Sequence, residues 1–233
     1  FDPSAVSTSH AVLFHARHLV EQSQVPKERP PGQKWVFYET EPPPKTWDRV
    51  DYDMDTWKQF NISATYATDA DIMHSLYKLK CRKVKEWQPS GRNHAANKTK
   101  MAAWIVSNCN SDSRREVYVD ELRKYVQVDE YGACGTDTHC GTYPKGAECI
   151  DRLLEKDYKF YLAFENGFCS EYYTEKIGKI LDLNVIPVVM GSINYTEILP
   201  KDAFIDFKDF RSAAQLAKFL IYLDSNDTLY NEY

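Results

Sequence analysis

The chain has 233 residues, 43% of them hydrophobic and 14% aromatic, with a formal net charge of −5. That length and apolar content support a sizeable core in one large or two modest domains. No basic block argues for nucleic acid, no apolar run approaches the roughly 18 residues that cross a bilayer, and no signal-peptide pattern opens the chain.

In chain order, Ala11–Phe14 reads as a first strand and Trp35–Tyr38 as a second, separated by a Pro-rich loop from Val25 to Gly32. The prolines Pro42 to Pro44 end the second strand. Residues 45–100 are polar with few periodic apolar positions, and Asn93–Lys100 has the composition of an inter-domain linker. Met101–Val106 then reads as a buried strand. Ser113–Tyr125 has helical spacing, with Val117, Tyr118, Leu122 and Tyr125 on one face. Val126–Tyr131 is a strand ending at Gly132, and residues 133–149 form a cysteine-rich loop. Strand Lys159–Phe164, helix Tyr173–Leu181, strand Val185–Met190, the turn at Gly191-Ser192, and a short strand near Phe204-Ile205 follow. Ser212 caps a last helix to Leu223. Strands alternating with helices predict parallel sheets.

Six cysteines, Cys81, Cys109, Cys134, Cys140, Cys149 and Cys169, form an even set whose fifteen possible pairings leave connectivity open. No Cys-x-x-Cys spacing supports a metal, and Cys134, His139 and Cys140 lack an evident fourth ligand. A disulfide within or near Cys134–Cys149 is the better use. Asn-x-Ser/Thr sequons at Asn61, Asn97, Asn194 and Asn226 join the even cysteines in favouring an oxidising, secretory compartment.

The run Phe160-Tyr-Leu-Ala-Phe-Glu165-Asn166-Gly-Phe-Cys-Ser-Glu-Tyr172-Tyr-Thr-Glu175-Lys176 is the most informative segment. An acid and an amide follow a buried strand, and a phenol, an acid and a lysine stand at a helix start. Ligands of open α/β sheets bind just beyond the carboxyl ends of strands. This set suits a ligand with hydroxyls and phosphates.

The same segment resembles the donor-binding signature of the α1,3-fucosyltransferase family. Val185–Gly191, Ala203–Phe210, Gln215–Leu223, Ala103–Cys109, Val128–Gly135, Arg29–Trp35 and the Phe60-Asn61-Ile-Ser segment resemble it too, so the resemblance covers nearly the whole chain, and the cysteine-bearing segments are most similar to the invertebrate branch. It implies a GT-B-like α/β architecture of two Rossmann-type parallel-sheet domains. Residues 1–97 would be an incomplete N-terminal domain on the acceptor side, and residues 98–233 would bind GDP-fucose. The chain then reads as a fragment of a Golgi-lumenal glycosyltransferase, tied to the membrane only through an anchor outside this sequence. The acceptor would be an N-glycan or lactosamine carrying N-acetylglucosamine. No cofactor would be obligatory: the donor is GDP-fucose, no metal site is expected, and a divalent ion would at most stimulate.

Inverting transfer needs a carboxylate to take the acceptor proton and cations to hold the departing diphosphate. The resemblance offers Glu41 as the base, in a strand end where Pro42 replaces the family's Ser, with Glu39 as the competing carboxylate. On local sequence alone, Glu41 is a solvated acid in a Pro-rich turn. Lys176 is the candidate diphosphate partner, and Arg115, in preference to Arg114, the second cation. Tyr172 and Glu175 would contact ribose, base or fucose hydroxyls, while Glu165 and Asn166 would order the loop and contact the sugar. Ala67 stands where the family carries Arg, Gly167 where it carries Ser, and the helix after Lys176 is one residue short. These departures leave a second reading, a catalytically degenerate homologue that binds glycan or nucleotide.

Overall fold

In the computed structural model, which describes residues 3–21, 24–48, 50, 54–74, 91–135, 140 and 146–233, the chain divides into two units. The first is Phe1–Leu76 with Cys169–Tyr172, and the second is Tyr77–Phe168 with Tyr173–Tyr233. The units divide at 76/77, whereas the expected boundary at 97/98 stands two residues before the first strand of the second sheet, at Lys100. Cys81 and His139 lie outside the described residues.

The first unit carries strands β1 (Ala11–His15), β2 (Lys34–Tyr38), β3 (Ile62–Thr65) and β4 (Ile72–Met73), all parallel in the order β1-β2-β3-β4. Alternation along β1 sends Val12 and Phe14 to one face. There they join Leu19, Val25, Trp35 and Met54 in a single apolar cluster. Helix α1 (Pro43–Thr46) follows β2. Proline at the first helical position is pre-set for the helix and lacks an N–H that would be unpaired anyway. Strands β3 and β4 are not evident in the sequence: they span four and two residues, and their neighbours are polar. Within this unit, Tyr66 meets Tyr172 edge-on at 5.0 Å, and Glu171 accepts the backbone N–H of Thr68 at 3.0 Å.

The second unit is a five-stranded parallel sheet in the order β6-β5-β7-β8-β9: β5 (Lys100–Ile105), β6 (Val128–Tyr131), β7 (Tyr158–Phe164), β8 (Ile186–Met190) and β9 (Ile205–Asp206). Two-residue periodicity divides its core. Trp104, Phe160, Leu162 and Val188 face one apolar cluster, while Ala103, Tyr161, Ala163 and Val189 face the other. Helices α2 (Arg115–Leu122) and α5 (Ala213–Asp224) contribute to the first face, and α3 (Ala147–Asp157) and α4 (Glu175–Gly178) to the second. A last turn, α6 (Asp227–Tyr230), caps the sheet through Tyr230, whose hydroxyl donates to Lys159 O at 2.8 Å. Chain order reverses between β5 and β7, which makes their carboxyl ends the topological switch point where such sheets take ligands.

Three expectations are corrected. The buried face of α2 is Arg115, Val119 and Leu122, whereas Val117 and Tyr125 are exposed. The helix starts at Arg115, and its packing against the sheet chose a face that apolar spacing alone did not mark. The stretch Asn93–Lys100 is no free linker. Lys98 Nζ donates to the carbonyls of Leu154, Glu155 and Tyr158, capping α3, and Asn93 Nδ2 donates to Asp227 Oδ2 at 2.7 Å. The helix expected over Tyr173–Leu181 is α over Glu175–Gly178 only and continues as turns.

Two disulfides, Cys109–Cys134 and Cys140–Cys149, are formed. The first joins the loop after β5 to the loop after β6. The second ties Cys140, within the cysteine-rich stretch, to the first turn of α3. No helix among the described residues is long and apolar enough to cross a membrane.

Candidate functional site

At the switch point, the loop between β5 and α2 is laced to the end of β7. Arg115 Nη1 donates to Phe164 O at 2.6 Å, Ser113 Oγ to Glu165 O at 2.7 Å, and the Ser113 N–H to Asn166 O at 3.2 Å. Three consecutive carbonyls are thereby taken by two residues, and Asn166 is fixed in place, 8% exposed. Arg115 Nη2 also donates to Asn108 O at 3.1 Å, so its buried guanidinium bridges the ends of β5 and β7. Arg114 stands exposed at the helix N-cap with φ of 51°.

Glu165 is fully enclosed, at 1% exposure. Its carboxylate accepts the Thr174 N–H at 2.9 Å, the Thr174 hydroxyl, and Lys176 Nζ at 2.9 Å. Lys176 Nζ also donates to Thr174 Oγ1 at 2.8 Å, and its side chain remains 18% exposed. The ammonium is therefore held at one point by a buried anion while still reaching solvent. Glu175 pairs with Lys179 at 3.5 Å. Burial would raise its carboxyl, but the neighbouring Lys176 and Lys179 hold it below the ordinary glutamate range.

Gly191 closes the far side, just past β8. A Cβ there would sit 2.5 Å from the Tyr195 hydroxyl and 3.5 Å from Glu165 Cγ, so only glycine lets these groups approach. The Tyr195 hydroxyl is buried without a hydrogen-bond partner among the described residues, and burial beside Glu165 pushes its pKa up. Sequence reading passed over Ser113, Thr174 and Tyr195. Thr174 lies inside the quoted motif, and Ser113 stands two residues before Arg115.

The second unit thus brings together Arg115, Glu165, Asn166, Glu175 and Lys176. Tyr172 and Glu41 belong to the first unit. Tyr172 is 1% exposed, against Tyr66. Glu41 follows β2 with its side chain 27% exposed, and its Oε1 accepts from Arg17 Nη1 at 3.0 Å. Glu39 is buried and accepts the backbone N–H groups of Arg17, Thr40 and Glu41 at 2.9–3.0 Å. It is an internal clamp rather than a second solvent-facing acid. Among the described residues, no group of three or more His, Cys, Asp or Glu side chains is placed to hold a metal ion.

Of the four sequons, Asn61, Asn97 and Asn194 are exposed and Asn226 is half-buried. Asn61 Oδ1 accepts the Trp35 N–H at 3.1 Å, Asn194 Oδ1 accepts from its own sequon Thr196, and Asn226 Oδ1 caps α6 through the Leu229 N–H.

Residues 95–233 match the family model described as glycosyltransferase family 10 (fucosyltransferase), C-terminal, and residues 1–77 match the fucosyltransferase N-terminal model. The chain is 35% identical to alpha-(1,3)-fucosyltransferase C of Drosophila melanogaster across 98% of its length and 56% of that protein's. It is 41% identical to glycoprotein 3-alpha-L-fucosyltransferase A of the same organism, across 74% of this chain and 35% of that one. The chain therefore spans about half, or less, of these relatives. A solved α1,3-fucosyltransferase structure with GDP-fucose superposes with a TM-score of 0.56 at 20% identity, over 87% of this chain and 66% of that one, a likeness of fold. With matching models over both units and a doubly wound sheet whose switch point carries the expected motif, the chain belongs to glycosyltransferase family 10, the fucosyltransferases.

Proposed function

We propose that this chain is the body of an α1,3-fucosyltransferase, moving fucose from GDP-fucose to the 3-hydroxyl of an N-acetylglucosamine in a glycan, with inversion. The observation that carries this reading is Lys176, fixed on buried Glu165 and Thr174 at the switch point of a nucleotide-type sheet. The names of its relatives and the GDP-fucose in the related structure supply the donor and the linkage. In this reading the bond between fucose C1 and the diphosphate oxygen breaks as the acceptor oxygen bonds C1 from the opposite face. Glu41 takes the acceptor hydroxyl's proton. Charge developing on GDP falls to the Lys176 ammonium, with Arg115 adding its charge from beneath the loop. Asn166, Tyr172 and Glu175 orient sugar and nucleoside. Glu165 acts through Lys176, which it positions.

The acceptor is an N-glycan or lactosamine, and the compartment is the Golgi lumen, consistent with two disulfides. Glycans at the four sequons belong to the same reading.

Transfer from GDP-fucose to a panel of N-glycan and lactosamine acceptors, measured on the full-length protein, tests it. Glu41→Gln should lower kcat by roughly 10²–10⁴-fold, as for loss of a general base, with the donor KM unchanged. Transfer from UDP-sugars in preference to GDP-fucose, or fucose placed on another hydroxyl, overturns the assignment. GDP binding without any transfer would favour the degenerate homologue, the reading that Ala67 and the residue missing from the segment after Lys176 support.

A further inference from the structure

The ends of β1 and β2 in the first unit carry a closed ring of contacts among three residues. The Arg17 backbone N–H donates to Glu39 Oε2 at 3.0 Å, and Glu39 Oε1 accepts the Glu41 backbone N–H at 2.9 Å. The Arg17 side chain then returns through Nη1 to Glu41 Oε1 at 3.0 Å. Glu41 is thus tied to Arg17 at both ends, its amide through the Glu39 carboxylate and its own carboxylate directly. Its carbonyl is also fixed, accepting from Thr46 Oγ1 at 3.2 Å.

An ordinary surface ion pair holds two long side chains in one geometry at an entropic cost and contributes little to stability. This pair differs because its anchor is Glu39, 2% exposed and bonded to three backbone N–H groups. The buried carboxylate sets the distance between the two chain segments before Arg17 and Glu41 meet. Arg17 also lines a shallow depression of about 240 Å³ with His18, Lys45, Thr46 and Asp48.

We infer that Arg17 is a positioning residue for Glu41: its guanidinium holds the Glu41 carboxylate in one rotamer at the acceptor side, and Glu39 holds Arg17 and Glu41 in register. The inference rests on Glu41 being the general base. A base acts only when its oxygen lies within hydrogen-bond reach of the proton it takes, so a carboxylate free to swing loses rate rather than donor affinity.

The backbone N–H of Arg17 is kept when the residue becomes Ala or Lys, so the Glu39 clamp persists in the variants. In steady-state transfer by the full-length protein, Arg17→Ala should lower kcat at least roughly tenfold while the donor KM stays within about twofold. Arg17→Lys, which keeps a cation, should recover part of that loss. In a Glu41→Gln background, Arg17→Ala should change kcat by less than about twofold, because two residues acting as a unit are not additive. A kcat for Arg17→Ala close to wild type overturns the inference, as does a full multiplicative loss in the Glu41→Gln background. Should Glu41→Gln itself retain wild-type kcat, the general-base reading fails and this inference with it. A silent Arg17→Ala beside a crippled Glu41→Gln removes only the inference.

Discussion

Lys176 has a structural role that can be separated from the functional one proposed for it. Its ammonium neutralises Glu165, which is 1% exposed and has no other cation among the contacts described above. Removing one partner of a buried ion pair leaves an uncompensated charge and costs about 3–5 kcal/mol. Lys176→Met should therefore lower stability by that order and weaken GDP binding by roughly 1.5–3 kcal/mol, the range for a hydrogen bond to a charged group. The two effects separate in the double variant Glu165→Gln/Lys176→Met. With the buried charge gone, the urea midpoint should recover, while calorimetric titration should still show weak GDP binding. A double variant that binds GDP as tightly as wild type would remove Lys176 from the donor site. The identities of these residues were legible because acid, amide and lysine stand in one run. Their division of labour was not. Glu165 lies in the core and is linked through Thr174 to the part-exposed Lys176, an arrangement that depends on side-chain direction beyond a strand end. Glu39 and Glu41 show the same limit. Two residues apart, they share a side of the chain on paper, yet one is enclosed by backbone N–H groups and the other is half-open to solvent.

Elements were legible where burial is complete. Strand β7 is buried at every position and β8 likewise, so Phe160–Phe164 of β7 and all of β8 read as continuous apolar runs. Helix α5 announced itself by its Ser212 cap, whose hydroxyl accepts the Gln215 N–H. Helix α3 was hidden because the cysteine-rich loop was read through to residue 149, across its first turn. Its apolar positions Ile150, Leu153 and Leu154 nonetheless keep helical spacing. Lys98 was also obscured, since a polar stretch gave no sign that one lysine would turn inward onto the last carbonyls of that helix. Burial pushes the Lys98 amine down to about 8. An unfolded lysine titrates near 10.4, so between about pH 8 and pH 10.4 the unfolded chain binds more protons than the folded one. Stability of the second unit should rise with pH across that window, and the term is constant below it, where both states are protonated. Urea midpoints at pH 7.5 and pH 9.3, compared with those of Lys98→Met, isolate the effect. Parallel midpoints for the two proteins would show that Lys98 keeps its proton throughout.

At the scale of the whole molecule, a parallel α/β chain with two sheets followed from strands alternating with helices, but the assignment of Cys169–Tyr172 to the first unit did not. That segment lies inside the run from Phe160 to Lys176, and only contacts made far along the chain, with Tyr66 and Thr68, reveal where it packs. Cysteine pairing is of the same kind: an even count indicated disulfides, and only the fold brings the loops after β5 and β6 close enough to join Cys109 to Cys134. That bond spans 25 residues of sequence, so chain entropy alone assigns it roughly 3.5 kcal/mol. Both disulfides among the described residues lie in the second unit, and Cys109–Cys134 joins the loops that follow β5 and β6. Reduction should therefore act locally. Amide exchange in β5 and β6 should accelerate, and exchange in β1 and β2 should stay as it was. GDP affinity should fall, because the loop after β5 carries Ser113 and leads into Arg115. The double variant Cys109→Ser/Cys134→Ser should reproduce these changes without reductant, which separates this bond from Cys140–Cys149. Equal acceleration in both sheets would mean that the bond supports the chain as a whole, and unchanged GDP affinity would mean that the β5–α2 loop holds its site without it.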